Sequence, residues 1–281
     1  MLTSGVRQIP QLVCEQTIQG EPIVDHGYQS LLFERSDETV TITLNRPAQR
    51  NALALFVLEE LTEAFEEAGR SGATGVILAS IGPVFSAGHD FADMAGTDIE
   101  GARHLFATCT NLMTTMQSIP QPVIARVHAL ATGAGCQLVA TADLAVASEE
   151  ATFCTPGGKG GLFCTTPMVA VGRSIGRKHA LEMAMSGDPI DARTAERWGL
   201  VNKVVPADDL LAATDELLAK VTRGSSASKA IGKRAFYAQI GLDQVQAYDY
   251  AVEVMASASQ HPDSQEGIAA FLEKRAPKWP S

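Results

Sequence analysis

Phe85-Ser86-Ala87-Gly88-His89-Asp90 and Ala131-Thr132-Gly133-Ala134-Gly135-Cys136-Gln137 are the two stretches on which the reading of this chain turns. Each follows an apolar run that reads as a buried strand, and each precedes a helix-like stretch. A strand-to-helix junction leaves backbone N–H groups unpaired and aimed to one side. Two such groups converging from two turns would make an oxyanion hole, which acts on a carbonyl as it becomes an enolate or alkoxide.

Outward from these turns the pattern is α/β. Residues 31–35 and 39–44 read as strands, with Val40, Ile42 and Leu44 alternating with threonines. Residues 53–68 read as an amphipathic helix presenting Leu53, Phe56, Val57, Leu61, Ala64 and Phe65 on one face. Residues 75–80 form a buried strand into the first turn, and 103–116 a helix stopped by Pro120 and Pro122. Residues 123–127 form the strand into the second turn, followed by a short apolar helix over 135–142 and a strand over 143–148. Beyond Pro206 four helical patterns follow, over 210–221, 226–238, 245–259 and 265–274. The organisation expected is an N-terminal arm over 1–28, an α/β core over 29–206 and a C-terminal helical segment over 207–281.

The 281 residues are 46% hydrophobic and 19% charged, with a net charge of −10, which argues against nucleic acid as the main partner. Five cysteines, with no C-x-x-C spacing and no histidine clustering, fit small buried thiols and predict no metal site. No stretch approaches the length of a membrane span, and the N-terminus lacks the apolar core of a secretory signal, so a cytoplasmic protein is expected.

Competing motifs fail on spacing. Gly133-Ala134-Gly135 lacks the third glycine of a dinucleotide fingerprint, Leu138 standing in its place. Gly157-Gly158-Lys159-Gly160-Gly161 lacks the Gly-Lys-Ser/Thr ending of a phosphate loop. Ser86, His89 and Asp90 lie too close along one turn to form a relay. His26, His104, His179 and His261 fall in arm or helix settings, and His128 reads as structural.

The ordered set of motifs resembles the crotonase superfamily, the enoyl-CoA hydratase/isomerase family, over about residues 30–278. It consists of Asn45-Arg46-Pro47 with Asn51-Ala52-Leu53, the two glycine turns, Glu182 to Gly187, Ala192 to Val201, and Gln265-Glu266-Gly267 through Arg275. The resemblance implies a spiral of ββα repeats capped by C-terminal helices, and a homotrimer or dimer of trimers. It implies an acyl-CoA thioester as the small-molecule ligand, with no permanently bound cofactor. The oxyanion donors would be the N–H groups of His89 and Ala134, with Ala87 and Asp90 on the same turn. Coenzyme A would lie along Arg50, Ala52 and Leu53, with Phe271 and Lys274 reaching over from a neighbouring subunit. Apart from the resemblance, Met94, Leu105, Met113, Met116 and Phe163 either line an apolar tunnel for the acyl chain or, as stripes like these more often do, pack in the core.

Hydratases of this family add water with two glutamates. Here Gln137 and Gly157 stand at those positions. An amide is no base near neutral pH, and glycine offers no side chain. The narrower resemblance is to enoyl-CoA hydratase domain-containing proteins lacking both carboxylates. The expectation is therefore a hydratase-like lyase by resemblance, with ordinary hydration in question. Decarboxylation of a malonyl-type thioester, or acyl-CoA binding without catalysis, are the alternatives. His89, Asp90, Lys159 and Gln137 are the polar side chains nearest the turns.

Overall fold

A computed structural model describes residues 27–36 and 38–280. The arm expected over 1–28, with Cys14 and His26, lies outside the described residues up to position 26. In chain order the strands are β1 (Leu31–Arg35), β2 (Thr39–Leu44), β3 (Gly75–Ser80), β4 (Val123–Val127), β5 (Ala131–Thr132), β6 (Leu144–Ser148), β7 (Thr152–Cys154), β8 (Ile190–Asp191) and β9 (Lys203–Val205). The α-helices are α1 (Leu55–Arg70), α2 (Ile99–Ser118), α3 (Ala134–Thr141), α4 (Pro167–Ser174), α5 (Arg177–Ser186), α6 (Ala192–Trp198), α7 (Leu210–Thr222), α8 (Ser226–Gln239), α9 (Gln244–Ser259) and α10 (Pro262–Leu272).

Six strands form one sheet in the order β1-β2-β3-β4-β6-β9, and β5-β7-β8 form a second. Only β1 and β2 are antiparallel in the large sheet; from β2 onward its pairs are parallel. A parallel sheet is covered on both faces, and β3 shows how. Val76 and Leu78 join the large core with α1 and α2, while Ile77 and Ala79 point the other way, onto Leu210, Ala213 and Leu218 of α7. The period-two alternation of side chains thus builds two cores from one strand.

Helix α1 starts at Leu55, two residues later than its apolar pattern suggests. The backbone of Leu53 is occupied elsewhere: its N–H donates to Gly88 O (2.8 Å) and its carbonyl accepts from Asp90 N (3.2 Å). The Asp93 carboxylate then caps the helix by accepting from Leu55 N at 2.7 Å. Phe56 is a correction to the expected core face. It is largely exposed, with the Arg46 guanidinium 4.9 Å above its ring.

Helix α8 is tied to the segments leading into β4 and β6 by a polar cluster. Lys233 on α8 donates to Asp143 Oδ2 (2.7 Å), Gln121 O (2.8 Å) and Met116 O (3.0 Å). Asp143 also accepts from Tyr237 OH and from Val123 N, each at 2.7 Å. Burial pushes the Lys233 ammonium below its ordinary value, and the Asp143 carboxylate pulls it back.

Candidate active site

The two glycine turns meet. Phe85 N and Ser86 N both reach Leu130 O (2.9 and 3.3 Å), and Thr132 N returns to Ser86 O at 3.0 Å. A Cβ built on Gly88, whose φ is +80°, would lie 2.8 Å from Thr132 O and 3.1 Å from Ala134 N. One on Gly135 would lie 2.6 Å from Ser86 O. Glycine is required at both places, because any side chain would wedge the turns apart.

Many of their N–H groups are spent, but the two expected donors are not. In the first turn Ala87 N donates to Arg50 O (3.0 Å), Gly88 N to Ser86 Oγ (3.2 Å) and Asp90 N to Leu53 O (3.2 Å). His89 N has no acceptor among the described residues. In the second turn Thr132 N and Gly133 N are bonded, the latter to Cys154 O at 2.9 Å. Ala134 N opens α3 and, like Gly135 N and Cys136 N after it, has no acceptor among the described residues, as is usual for the first donors of a helix.

Both turns face a cavity of about 580 Å³, within the range of small-molecule sites. Ala87, His89, Ala134, Gly157 and Phe163 line it, as the sequence led one to expect, and so do Met94 and Lys159. Phe106, Leu162 and Cys164 are lining residues that sequence reading missed. Phe106 lies on α2 and Leu162 and Cys164 on the loop after Gly157, so only tertiary folding brings them in. Of the two readings of Leu105, Met113 and Met116, the core is the one observed: all three are buried in the hydrophobic core and none lines the cavity.

The remaining expected residues are not on the cavity wall. Arg50, Ala52 and Leu53 form a strap beside the first turn, with the Leu53 side chain wholly buried. Asn51 pins this strap, donating to Ile81 O (2.8 Å) and Val84 O (3.0 Å) and accepting from Arg46 N (2.9 Å). The Asp90 carboxylate is occupied in capping Ala92 N at 3.0 Å. Phe271 and Lys274 lie at the end of α10 and do not line the cavity of their own chain. Gln137 is buried on α3, with Cys109 Sγ 3.9 Å from its amide oxygen.

The imidazole of His89 stands edge-on to Phe106, ring centroids 5.5 Å apart. Both ring nitrogens are sealed from solvent without a hydrogen-bond partner among the described residues. Burial holds the ring below its ordinary pKa, with the Leu53 carbonyl and the Asp93 carboxylate nearby acting the other way. An imidazole buried with unsatisfied nitrogens is costly.

At Gly157 there is no vacancy. A Cβ there would collide with Leu162 O and lie 2.7 Å from Cys164 Sγ. The loop is closed tightly by Gly160 N and Leu162 N, both donating to Gly157 O (3.0 and 2.9 Å). Lys159 is paired with Asp188 at the rim. No cluster of three or more potential metal ligands occurs among the described residues.

Comparison with known proteins agrees with this architecture. The family model described as "Enoyl-CoA hydratase/isomerase" matches residues 34–281. A mouse protein named "Enoyl-CoA hydratase domain-containing protein 3, mitochondrial" is 43% identical over 249 residues, covering 87% of this chain and 82% of its own length. The crystal structure of an enoyl-CoA hydratase from Mycobacterium smegmatis superposes with a TM-score of 0.87 at 44% identity, over 90% of this chain and all of that one. Human enoyl Coenzyme A hydratase domain-containing protein 3 gives a TM-score of 0.85 at 40% identity, over 89% of this chain and all of that one. The α/β crotonase-like fold expected from the sequence is thereby confirmed. The cytoplasmic expectation is corrected, since the mouse relative and its frog and human counterparts are named as mitochondrial. It had rested on the lack of an apolar secretory signal, and matrix-directing segments, being amphipathic and Arg-rich, carry no such signal.

Proposed function

The chain belongs to the enoyl-CoA hydratase/isomerase family, and from that premise we propose that it binds an acyl-coenzyme A thioester and polarises its carbonyl toward an enolate without a carboxylate pair. The observation that carries this reading is the unspent pair of N–H groups on His89 and Ala134, at the contact of two turns and on one cavity. Each donor in such a hole is worth about 3 kcal/mol of transition-state stabilisation. Met94, Phe106, Leu162 and Phe163 supply apolar wall for an acyl chain.

Two-glutamate hydration is not the reaction favoured. No carboxylate lines the cavity among the described residues, Gln137 faces the core, and backbone closes over Gly157. Decarboxylation of a malonyl-type thioester is favoured less, because the one ammonium on the cavity wall, Lys159, is already held by Asp188. Coenzyme A runs along the strap of Arg50, Ala52 and Leu53. Phe271 and Lys274 reach it from a neighbouring subunit of a homotrimer built on the C-terminal helices.

Calorimetric titration with butyryl-CoA and with free coenzyme A, alongside a hydration assay on crotonyl-CoA, tests the reading. The thioester should bind more tightly than coenzyme A, since only it offers a carbonyl to the hole. Hydration should stay below the ~1 s⁻¹ at which ordinary enzymes begin. Absence of thioester binding, or sustained hydration above that rate, would overturn it.

A further inference from the structure

Cys164 carries a thiol onto the wall of the cavity, and the use proposed for that cavity leaves it unassigned. Its sulfur accepts the Gly157 N–H at 3.2 Å and fills the space in which a Gly157 side chain would begin. Cys164 is partly exposed, whereas Cys109, Cys136 and Cys154 are buried and line no part of the cavity. Cys154 lies beneath the second turn, its sulfur 3.2 Å from Thr132 Oγ1, and interacts electrostatically with Cys164. A soft nucleophile, two free N–H donors and an unpartnered imidazole therefore share one pocket.

We propose that Cys164 is a covalent capture site for α,β-unsaturated coenzyme A thioesters, its sulfur adding to the β-carbon while the thioester oxygen rests on the His89 and Ala134 N–H groups. The proposal rests on the acyl-CoA reading above. The S–Cβ bond forms as the Cα=Cβ π bond breaks, and the electron pair passes into the enolate. The thiol proton ends on Cα, so the product is a saturated thioether that still carries coenzyme A. No oxidant or second reactant is needed.

Burial raises the Cys164 thiol pKa and so works against the thiolate that attacks, and the Gly157 N–H opposes that effect. The same N–H stabilises the thiolate character that develops as the bond forms. Addition exchanges a π bond and an S–H bond for an S–C and a C–H bond and runs downhill. Acyl transfer to the thiol would exchange one thioester for another and gain little. Confinement in one pocket supplies the effective concentration that a dilute thiol lacks.

The test is to incubate the full chain with crotonyl-CoA, quench in acid and weigh it intact. Acid stops reversal, which needs loss of the Cα proton. The expected result is one added mass per chain equal to the whole of crotonyl-CoA, mapped by digestion to the Cys164 peptide. The adduct is absent in Cys164→Ser and absent with butyryl-CoA, which still binds by calorimetry. Binding of butyryl-CoA with no crotonyl-CoA adduct overturns the inference and leaves the acyl-CoA reading standing. An added crotonyl group alone, or an adduct on another cysteine, overturns it equally. Failure of both thioesters to bind overturns both. Mapping on the unmodified sequence decides the matter even if Cys164→Ser does not fold.

Discussion

Gly157 has the Leu162 carbonyl and the Cys164 sulfur where a side chain would project, so restoring a glutamate there is a problem of space before it is one of chemistry. The Leu162 oxygen is backbone, held in a turn by two hydrogen bonds to Gly157 O, and cannot swing away as a flexible side chain would. Gly157→Glu should therefore cost about 2 kcal/mol or more of stability through overpacking and should not confer hydration. Urea denaturation and a crotonyl-CoA assay read both effects. A variant as stable as the parent that hydrates crotonyl-CoA would show that the loop yields. His89 makes a separate prediction through its protons. Folding holds its pKa below the ordinary 6.5, so below that pH the unfolded chain binds a proton that the folded ring refuses. Stability is thus full above pH 6.5 and falls as pH drops toward the folded value, by at most about 1.4 kcal/mol per pH unit. His89→Gln, which cannot take the proton, should flatten the loss between pH 6.5 and 5.5 in paired denaturation curves. An unchanged pH slope would mean that the ring is protonated in the folded chain.

Helix α8 is positioned by Lys233, whose three acceptors come from the end of α2, the segment before β4 and the segment before β6. Lys233→Met keeps the aliphatic length, leaves the Asp143 carboxylate with only Tyr237 and Val123 N, and strands the Met116 and Gln121 carbonyls. Removing one partner of a largely buried pair costs about 3 kcal/mol. The midpoint of urea unfolding should fall accordingly, and amide exchange should speed up in α8 before it does in β3. Equal exchange in both would show that the contact is not a local tether. This lock was not legible in the sequence, since it joins residues 116, 121, 143 and 233. What was legible is what neighbours along the chain decide. The bounds of β1, β2, β3 and β4 follow from alternation and from the glycines and prolines that end them. The stretch from 149 to 205 yielded no element by periodicity, because β7 and β8 are three and two residues long and gain their strand character from pairing Thr152 with Asp191. The glycine turns announced themselves, because positive φ and close approach demand glycine. Helical spacing said that Met113 and Met116 share a face of α2, but not that this face packs into the core rather than lining the cavity.

On the whole molecule, the outward side of α9 carries Val245, Tyr248, Val252 and Met255, spaced three, four and three residues apart and 61–70% or more exposed. That is the stripe of a helix packed against a partner, and nothing among the described residues covers it. Val254, between two stripe residues, turns to the half-buried side instead. Phe236, Ile268, Phe271 and Leu272 on α8 and α10 and just beyond extend the exposed apolar surface, and so large a patch marks an association site. The predicted assembly is a homotrimer, alone or paired, so light scattering at micromolar concentration should give three or six times the chain mass. Val252→Asp places a charge at the middle of the stripe, where burial without a partner costs several kcal/mol, and should shift the population to monomer. The monomer should then bind butyryl-CoA at least tenfold more weakly although its own cavity is untouched, because Phe271 and Lys274 belong to a neighbour's ligand. A parent that is monomeric by scattering would end the trimer proposal. A monomeric Val252→Asp with undiminished affinity would keep the trimer but remove Phe271 and Lys274 from the binding site.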